Sequence, residues 1–185
     1  MNEENRSKKN GYTLIEVLVS SAIIILISTL FLANYRGSEK KSLLNLTAQK
    51  LVSDIRLAQS KSLSASSYGS VFPTGGWGIY FDKALGEYYI FADINGDYAY
   101  NAGEGDKALG AMVVKLPENI GINSIQYGAS LENTANNLAV AFLPPEPTVY
   151  IAGQEYYQAK ITLVNQTDSS TKSVLVNFFG LVDAE

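Results

Sequence analysis

Two residue types are missing altogether, because the chain of 185 residues contains no cysteine and no histidine. Without thiols it can form no disulfide, no thiolate metal site and no cysteine nucleophile. Without imidazole it lacks the commonest general base and zinc ligand. These absences remove most hydrolase and metalloenzyme templates, so no enzymatic activity is expected. Arginine is scarce and unevenly placed. Residues 1–65 carry nine Lys and Arg against five Asp and Glu, whereas residues 66–185 carry five Lys, no Arg and thirteen Asp and Glu. The first part is therefore +4 and the second −8. Phosphate-backbone binding depends on basic side chains that displace counterions, so the acidic, Arg-free half disfavours nucleic acid as a partner.

Charge is almost absent from residues 12–32, YTLIEVLVSSAIIILISTLFL, where Glu16 is the one side chain charged at neutral pH. As a helix this stretch is about 31 Å long at 1.5 Å per residue. That is close to the hydrocarbon thickness of a bilayer. Arg6, Lys8 and Lys9 precede it and an acidic half follows, so the positive-inside bias keeps the N-terminus cytoplasmic and exports the remainder. A secretory signal would have a shorter apolar run and a small-residue cleavage site after it. Here Asn34, Tyr35, Arg36 and Gly37 follow instead. A carboxylate inside such a helix costs about 2.5–3.5 kcal/mol on insertion scales, so Glu16 requires a cationic or hydrogen-bonding partner.

Lys8-Lys9-Asn10-Gly11, followed by Tyr12-Thr13-Leu14-Ile15-Glu16-Val17-Leu18-Val19, closely resembles the class III signal of type IV pilins and type II secretion pseudopilins. The resemblance implies cleavage by a prepilin peptidase after Gly11 and methylation of the new N-terminus at Tyr12. It also supplies the missing partner: Glu16 would neutralise the ammonium at Tyr12 of an adjacent subunit during docking into a filament. Removing residues 1–11 leaves eleven basic and sixteen acidic side chains, a net charge of −5.

Beyond the apolar run, Leu44, Ala48, Leu51, Val52, Ile55, Ala58 and Leu63 recur at spacings near three and four. This is the stripe of an amphipathic helix. Lys41, Lys50, Asp54, Arg56 and Lys61 fall mostly off it, and Gly37-Ser38 suggests a bend or local melt. The small polar run 64–70 ends the helix. Runs rich in β-branched and aromatic residues follow at 77–82, 87–92, 111–116, 122–127, 138–143, 148–151, 157–164 and 173–179. Gly, Pro, Asn and Asp separate them, which predicts antiparallel strands. The expected fold is α+β: a long N-terminal helix packed on an antiparallel head of one or two sheets, as in pilins. The expected organisation is a cleaved leader 1–11, a membrane and filament-core helix 12–37, an amphipathic helix 38–65 and a β-rich head 66–185. Together with the Gly-Trp-Gly strand and the terminal 174–182 segment, this order looks like the H-type minor pseudopilin and FimT-like group.

The segment Asp93-Ile94-Asn95-Gly96-Asp97-Tyr98-Ala99-Tyr100-Asn101-Ala102-Gly103-Glu104 has oxygen donors at positions one, three, five, nine and twelve of a twelve-residue loop. That is EF-hand spacing, with Asp93, Asn95, Asp97, Asn101 and Glu104 as side-chain ligands of Ca²⁺ and Ala99 as the carbonyl ligand. Two features oppose it: Tyr98 stands where Gly normally permits the turn, and a strand rather than a helix leads in. A solvated loop rich in Asx turns is the alternative. Asp82, Glu87 and Asp106 are candidate carboxylates for glycosidase chemistry, but no spacing fixes an acid pair, and solvated loop charges are the commoner role. Pro144-Pro145-Glu146-Pro147 reads as a stiff extended connector.

The leading function is a structural subunit, minor or at the tip, of a type IV pilus or type II secretion pseudopilus. Its partners would be the prepilin peptidase, other pilin or pseudopilin subunits, the inner-membrane assembly platform and the membrane itself. It would sit first in the bacterial cytoplasmic membrane as a single-pass protein with an exported head, and later in the pilus. A DNA-uptake (competence) minor pilin is the alternative, which the acidic head opposes. A membrane-anchored surface protein is a more distant one.

Overall fold

The computed structural model describes residues 12–101, 106–144 and 148–185, with backbone alone at 33–40 and 107–112. Among the described residues one helix, α1 (Leu14–Leu63), precedes ten strands. It is helical through Gly37 and Ser38, so no melt occurs there. The chain divides into two compact units, residues 1–39 and 40–185.

In the first unit, Leu14–Leu32 is long and apolar enough to cross a membrane and none of it is buried within the protein. The hydroxyls of Ser20, Ser21 and Thr29 turn back on the helix. Ser20 Oγ donates to the Glu16 carbonyl at 2.7 Å, and Thr29 Oγ1 donates to the Ile25 carbonyl at 2.8 Å. These hydroxyls are thereby satisfied without water, as an apolar surrounding demands.

The second unit holds a two-sheet head. Its strands are β1 (Gly76–Asp82), β2 (Glu87–Asp93), β3 (Lys107–Lys115), β4 (Ile120–Tyr127), β5 (Asn133–Ala135), β6 (Asn137–Leu143), β7 (Thr148–Ile151), β8 (Gln158–Asn165), β9 (Thr171–Asn177) and β10 (Val182–Ala184). One sheet runs β3-β2-β1-β6-β7 and the other β10-β9-β8-β4-β5. Every pairing is antiparallel. The α+β fold with a helix packed on antiparallel sheets is thus present. β5 and β10 escape prediction because three residues are too few to show alternation. The terminal strand stops at Asn177, not Phe179, since Phe178-Phe179-Gly180 turns the chain into β10.

Leu44, Ala48, Leu51, Val52, Ile55 and Ala58 enter one core with side chains of both sheets. The stripe then departs from expectation: Leu63 is 56% exposed and Ser62 is buried. Ser62 lies four residues after Ala58, on the same helical face, whereas Leu63 is rotated off it. The Ser62 hydroxyl donates to the Phe142 carbonyl, so its burial leaves no unpaired group. Asp54 is also buried, accepting a hydrogen bond from Tyr88 Oη at 2.6 Å and pairing with Lys50 at 2.8 Å. Gln59 Nε2 donates to the Gly180 carbonyl at 2.6 Å and Arg56 Nη2 to the Val182 carbonyl at 3.1 Å. These two bonds tie the helix to the chain's last turn.

The sheets differ in how their outer faces are treated. β8 alternates strictly between buried and half-buried positions, as expected for a strand with one wet face. β1 and β2 are buried almost continuously. Phe91 points away from the main core yet is fully buried, with the Tyr100 ring 5.3 Å from its own. The segment after β2 folds back over this face.

Candidate functional site

Thr13 stands immediately before α1 and Glu16 lies in its first turn. Glu16 Oε2 accepts from the Thr13 backbone N–H at 3.4 Å and from Thr13 Oγ1 at 3.4 Å. In return, the Glu16 N–H donates to Thr13 Oγ1 at 3.3 Å. This is a capping box, in which two otherwise unpaired N–H groups at a helix start are satisfied reciprocally. The Thr-x-x-Glu pattern was present in the sequence and is the signal that a search for charge partners overlooks. Glu16 is therefore at the end of the apolar span, where the helix dipole also favours an anion. Tyr12 is exposed just ahead of the helix. Gly11 lies outside the described residues, as does the rest of the 1–11 leader.

The second constellation is the segment between β2 and β3. Asp93 ends β2 fully buried, and its carboxylate accepts from the Gly96 N–H at 2.7 Å and the Tyr98 N–H at 2.8 Å. Its approach to the segment that leads into β1 is close. A Cβ at Gly75 would lie 1.8 Å from Asp93 Oδ2, so any side chain there must displace the carboxylate. Asp106, also buried, accepts from the Ile94 N–H at 3.0 Å and the Asn101 N–H at 2.9 Å. Asp97 is exposed and accepts from the Ala99 N–H at 2.9 Å, Asn95 Nδ2 at 2.9 Å and Asn101 Nδ2 at 2.8 Å. Oxygens of Asp93, Asp97 and Asp106 lie within 4.8 Å of one another.

Burial, with the nearby charges of Asp106 and Asp97, holds the Asp93 carboxyl above the usual carboxylate range against the two N–H groups it accepts. For Asp97, partial burial pushes upward, but the Ala99 N–H and the amides of Asn95 and Asn101 outweigh it and place the group below that range. Tyr98 adopts φ 59°, the left-handed conformation that the sixth loop position requires. The strain is offset by stacking of the Tyr98 ring on Tyr150 of β7, centroids 3.8 Å apart and planes 7° from parallel. Two residues on, the Tyr100 ring packs 4.9 Å from Tyr80 and 5.7 Å from Tyr89. The loop is thus strapped across the sheet by Tyr98 and Tyr100.

Of the six loop residues singled out from spacing, Asp93 and Asp97 converge. Asn95 and Asn101 turn their amide nitrogens towards Asp97, and the Ala99 N–H does the same. Glu104 lies outside the described residues. Asp106, two residues past the twelve-residue frame, joins the cluster in a way that spacing did not reveal. Asp82 and Glu87 have structural work instead: Asp82 Oδ1 accepts from the Ala84 and Leu85 N–H groups in the β1–β2 turn, and Glu87 accepts from Tyr89 Oη.

The family model of the prokaryotic N-terminal methylation motif matches residues 6–32. The match takes in Gly11, Tyr12, the Thr13–Glu16 cap and the apolar span. It supports the type IV pilin and pseudopilin family, the processing by prepilin peptidase that this motif implies, and anchoring in a membrane. No curated protein and no solved structure compared with the chain matches it.

Proposed function

We propose that this protein is a minor or tip subunit of a type IV pilus or type II secretion pseudopilus. It is inserted with its N-terminus cytoplasmic and its head exported, cut between Gly11 and Tyr12, and methylated on Tyr12. The observation that carries this reading is the methylation motif coinciding with an unburied apolar span, Leu14–Leu32, whose one carboxylate, Glu16, lies in the first turn of α1. Cleavage would create an ammonium at Tyr12 beside helix N–H groups that already repel it. A neighbouring subunit's Glu16 offsets both the charge and its desolvation. The decisive measurement is mass spectrometry of protein extracted from membranes that contain a prepilin peptidase. A methylated Tyr12 N-terminus is expected, and a chain that still begins at Met1 or Asn2 would overturn the assignment.

The acidic head, −8 over residues 66–185, favours this structural role over DNA uptake. We further propose that the loop after β2 takes up Ca²⁺. Three carboxylates with oxygens within 4.8 Å offer the hard donors that this cation prefers, and no ion pair to Lys or Arg neutralises them among the described residues.

A further inference from the structure

Asn95-Gly96 is, with Asn10-Gly11, one of two Asn-Gly pairs in the chain. A glycine after asparagine leaves the following backbone nitrogen sterically open to attack on the side-chain amide. Asn95 is solvent exposed, so neither water nor ammonia is barred from the site. The folded loop nevertheless engages every group the reaction needs. The Gly96 N–H, which would supply the nucleophile, donates to the buried Asp93 carboxylate at 2.7 Å. Asn95 Oδ1 accepts from the Asp97 N–H at 3.2 Å, and Asn95 Nδ2 donates to Asp97 Oδ2 at 2.9 Å.

We infer that Asn95 is a latent deamidation site, restrained by Asp93 and Asp97 while the loop is strapped to the sheet and released when it opens. In the reaction Gly96 N bonds to Asn95 Cγ, the Cγ–Nδ2 bond breaks, and ammonia leaves with the proton from Gly96. A water molecule then opens the cyclic imide at either carbonyl, giving aspartate or isoaspartate. No oxidant or reductant takes part. Both products act against the closed loop. Aspartate presents an acceptor where Asp97 previously received a donor, so attraction becomes repulsion. Isoaspartate inserts a carbon into the backbone and displaces the Gly96 N–H from Asp93. The change is irreversible, and it marks molecules whose loop has opened.

The test uses the full chain in detergent micelles beside a synthetic peptide spanning 93–101, both incubated at mildly alkaline pH. Acid at position 95 is quantified by mass spectrometry on a proteolytic fragment that excludes Asn10-Gly11. Reaction only from an open state predicts a rate in the folded chain about tenfold or more below that of the peptide. Asp97→Ala, checked by its melting curve to be folded, should accelerate the reaction severalfold. Asp97→Asn, which keeps an acceptor for Asn95 Nδ2, should stay slow. A folded wild-type chain that deamidates at the peptide's rate overturns the inference, as does a folded Asp97→Ala chain that is no faster than wild type.

Discussion

Thr13 and Glu16 cap each other at the start of α1, hydroxyl to N–H in one direction and carboxylate to N–H in the other. The same carboxylate that pilin-type assembly would use between subunits thus has a local task within its own chain. The two tasks differ in one respect, since capping needs an acceptor oxygen and pairing with an ammonium needs charge.

Glu16→Gln separates them. Glutamine retains the acceptor, so insertion into membranes should be unchanged, while incorporation into sheared filaments should fall sharply. Loss of one partner from a buried charge pair typically costs about 3–5 kcal/mol. Thr13→Val, which removes about 0.5–2 kcal/mol of capping, should still be incorporated. Normal incorporation of the glutamine variant would leave Glu16 with capping alone.

The helix register within the head is tested by a pair of truncations. Leu51 is 1% exposed and Leu63 56%, so Leu51→Ala should cost about 2–5 kcal/mol in denaturant unfolding. Leu63→Ala should change stability by under about 0.5 kcal/mol.

A chain beginning at Ser38 should be a soluble monomer by light scattering, because it lacks the exposed Leu14–Leu32 surface but keeps the helix face that joins the core. Aggregation, together with rapid hydrogen exchange across 44–58, would mean that this face needs another partner.

Calcium should raise the melting temperature of that soluble head through linkage between binding and folding. Asp97→Ala should abolish the rise without unfolding the metal-free protein, since Asp97 is the exposed member of the cluster. Calorimetry that shows no calcium heat, with an unchanged melting temperature, would return the segment to a loop of Asx turns.

Gly75→Ala should displace the Asp93 carboxylate, because the added Cβ would overlap Asp93 Oδ2. The expected outcome is a loss of about 1–3 kcal/mol, the usual scale for overpacking. Faster hydrogen exchange at Gly96 and Tyr98 should accompany it, as both N–H groups depend on that carboxylate.

Much of this protein is legible in the order of its residues. The apolar run, the basic leader and the Thr-x-x-Glu cap act through neighbours within a few positions, so they need no distant contact to be read. The 3.6-residue stripe from Leu44 to Ala58 and eight of the strands are equally local patterns. The apolar pattern does not show where the buried face continues onto a polar residue: Ser62 takes the buried position because its hydroxyl donates to the Phe142 carbonyl, and Asp54 is buried because Tyr88 and Lys50 satisfy it. Lys50 stands four residues before Asp54 and is legible from helical spacing, whereas Phe142 and Tyr88 come from distant strands and are not.

The acidic loop shows the division most clearly. Its sequence determined a run of oxygen donors and turn formers, and nothing beyond that. Which carboxylates meet, with Asp106 joining Asp93 and Asp97, was decided by the return of the chain from β2 towards β3. That a tyrosine tolerates φ 59° was decided by Tyr150, fifty-two residues away, whose ring stacks on it. Local preference sets which conformations are cheap. A strained one persists only where contacts from a distant strand repay its energy, and those contacts exist only once the sheet has formed.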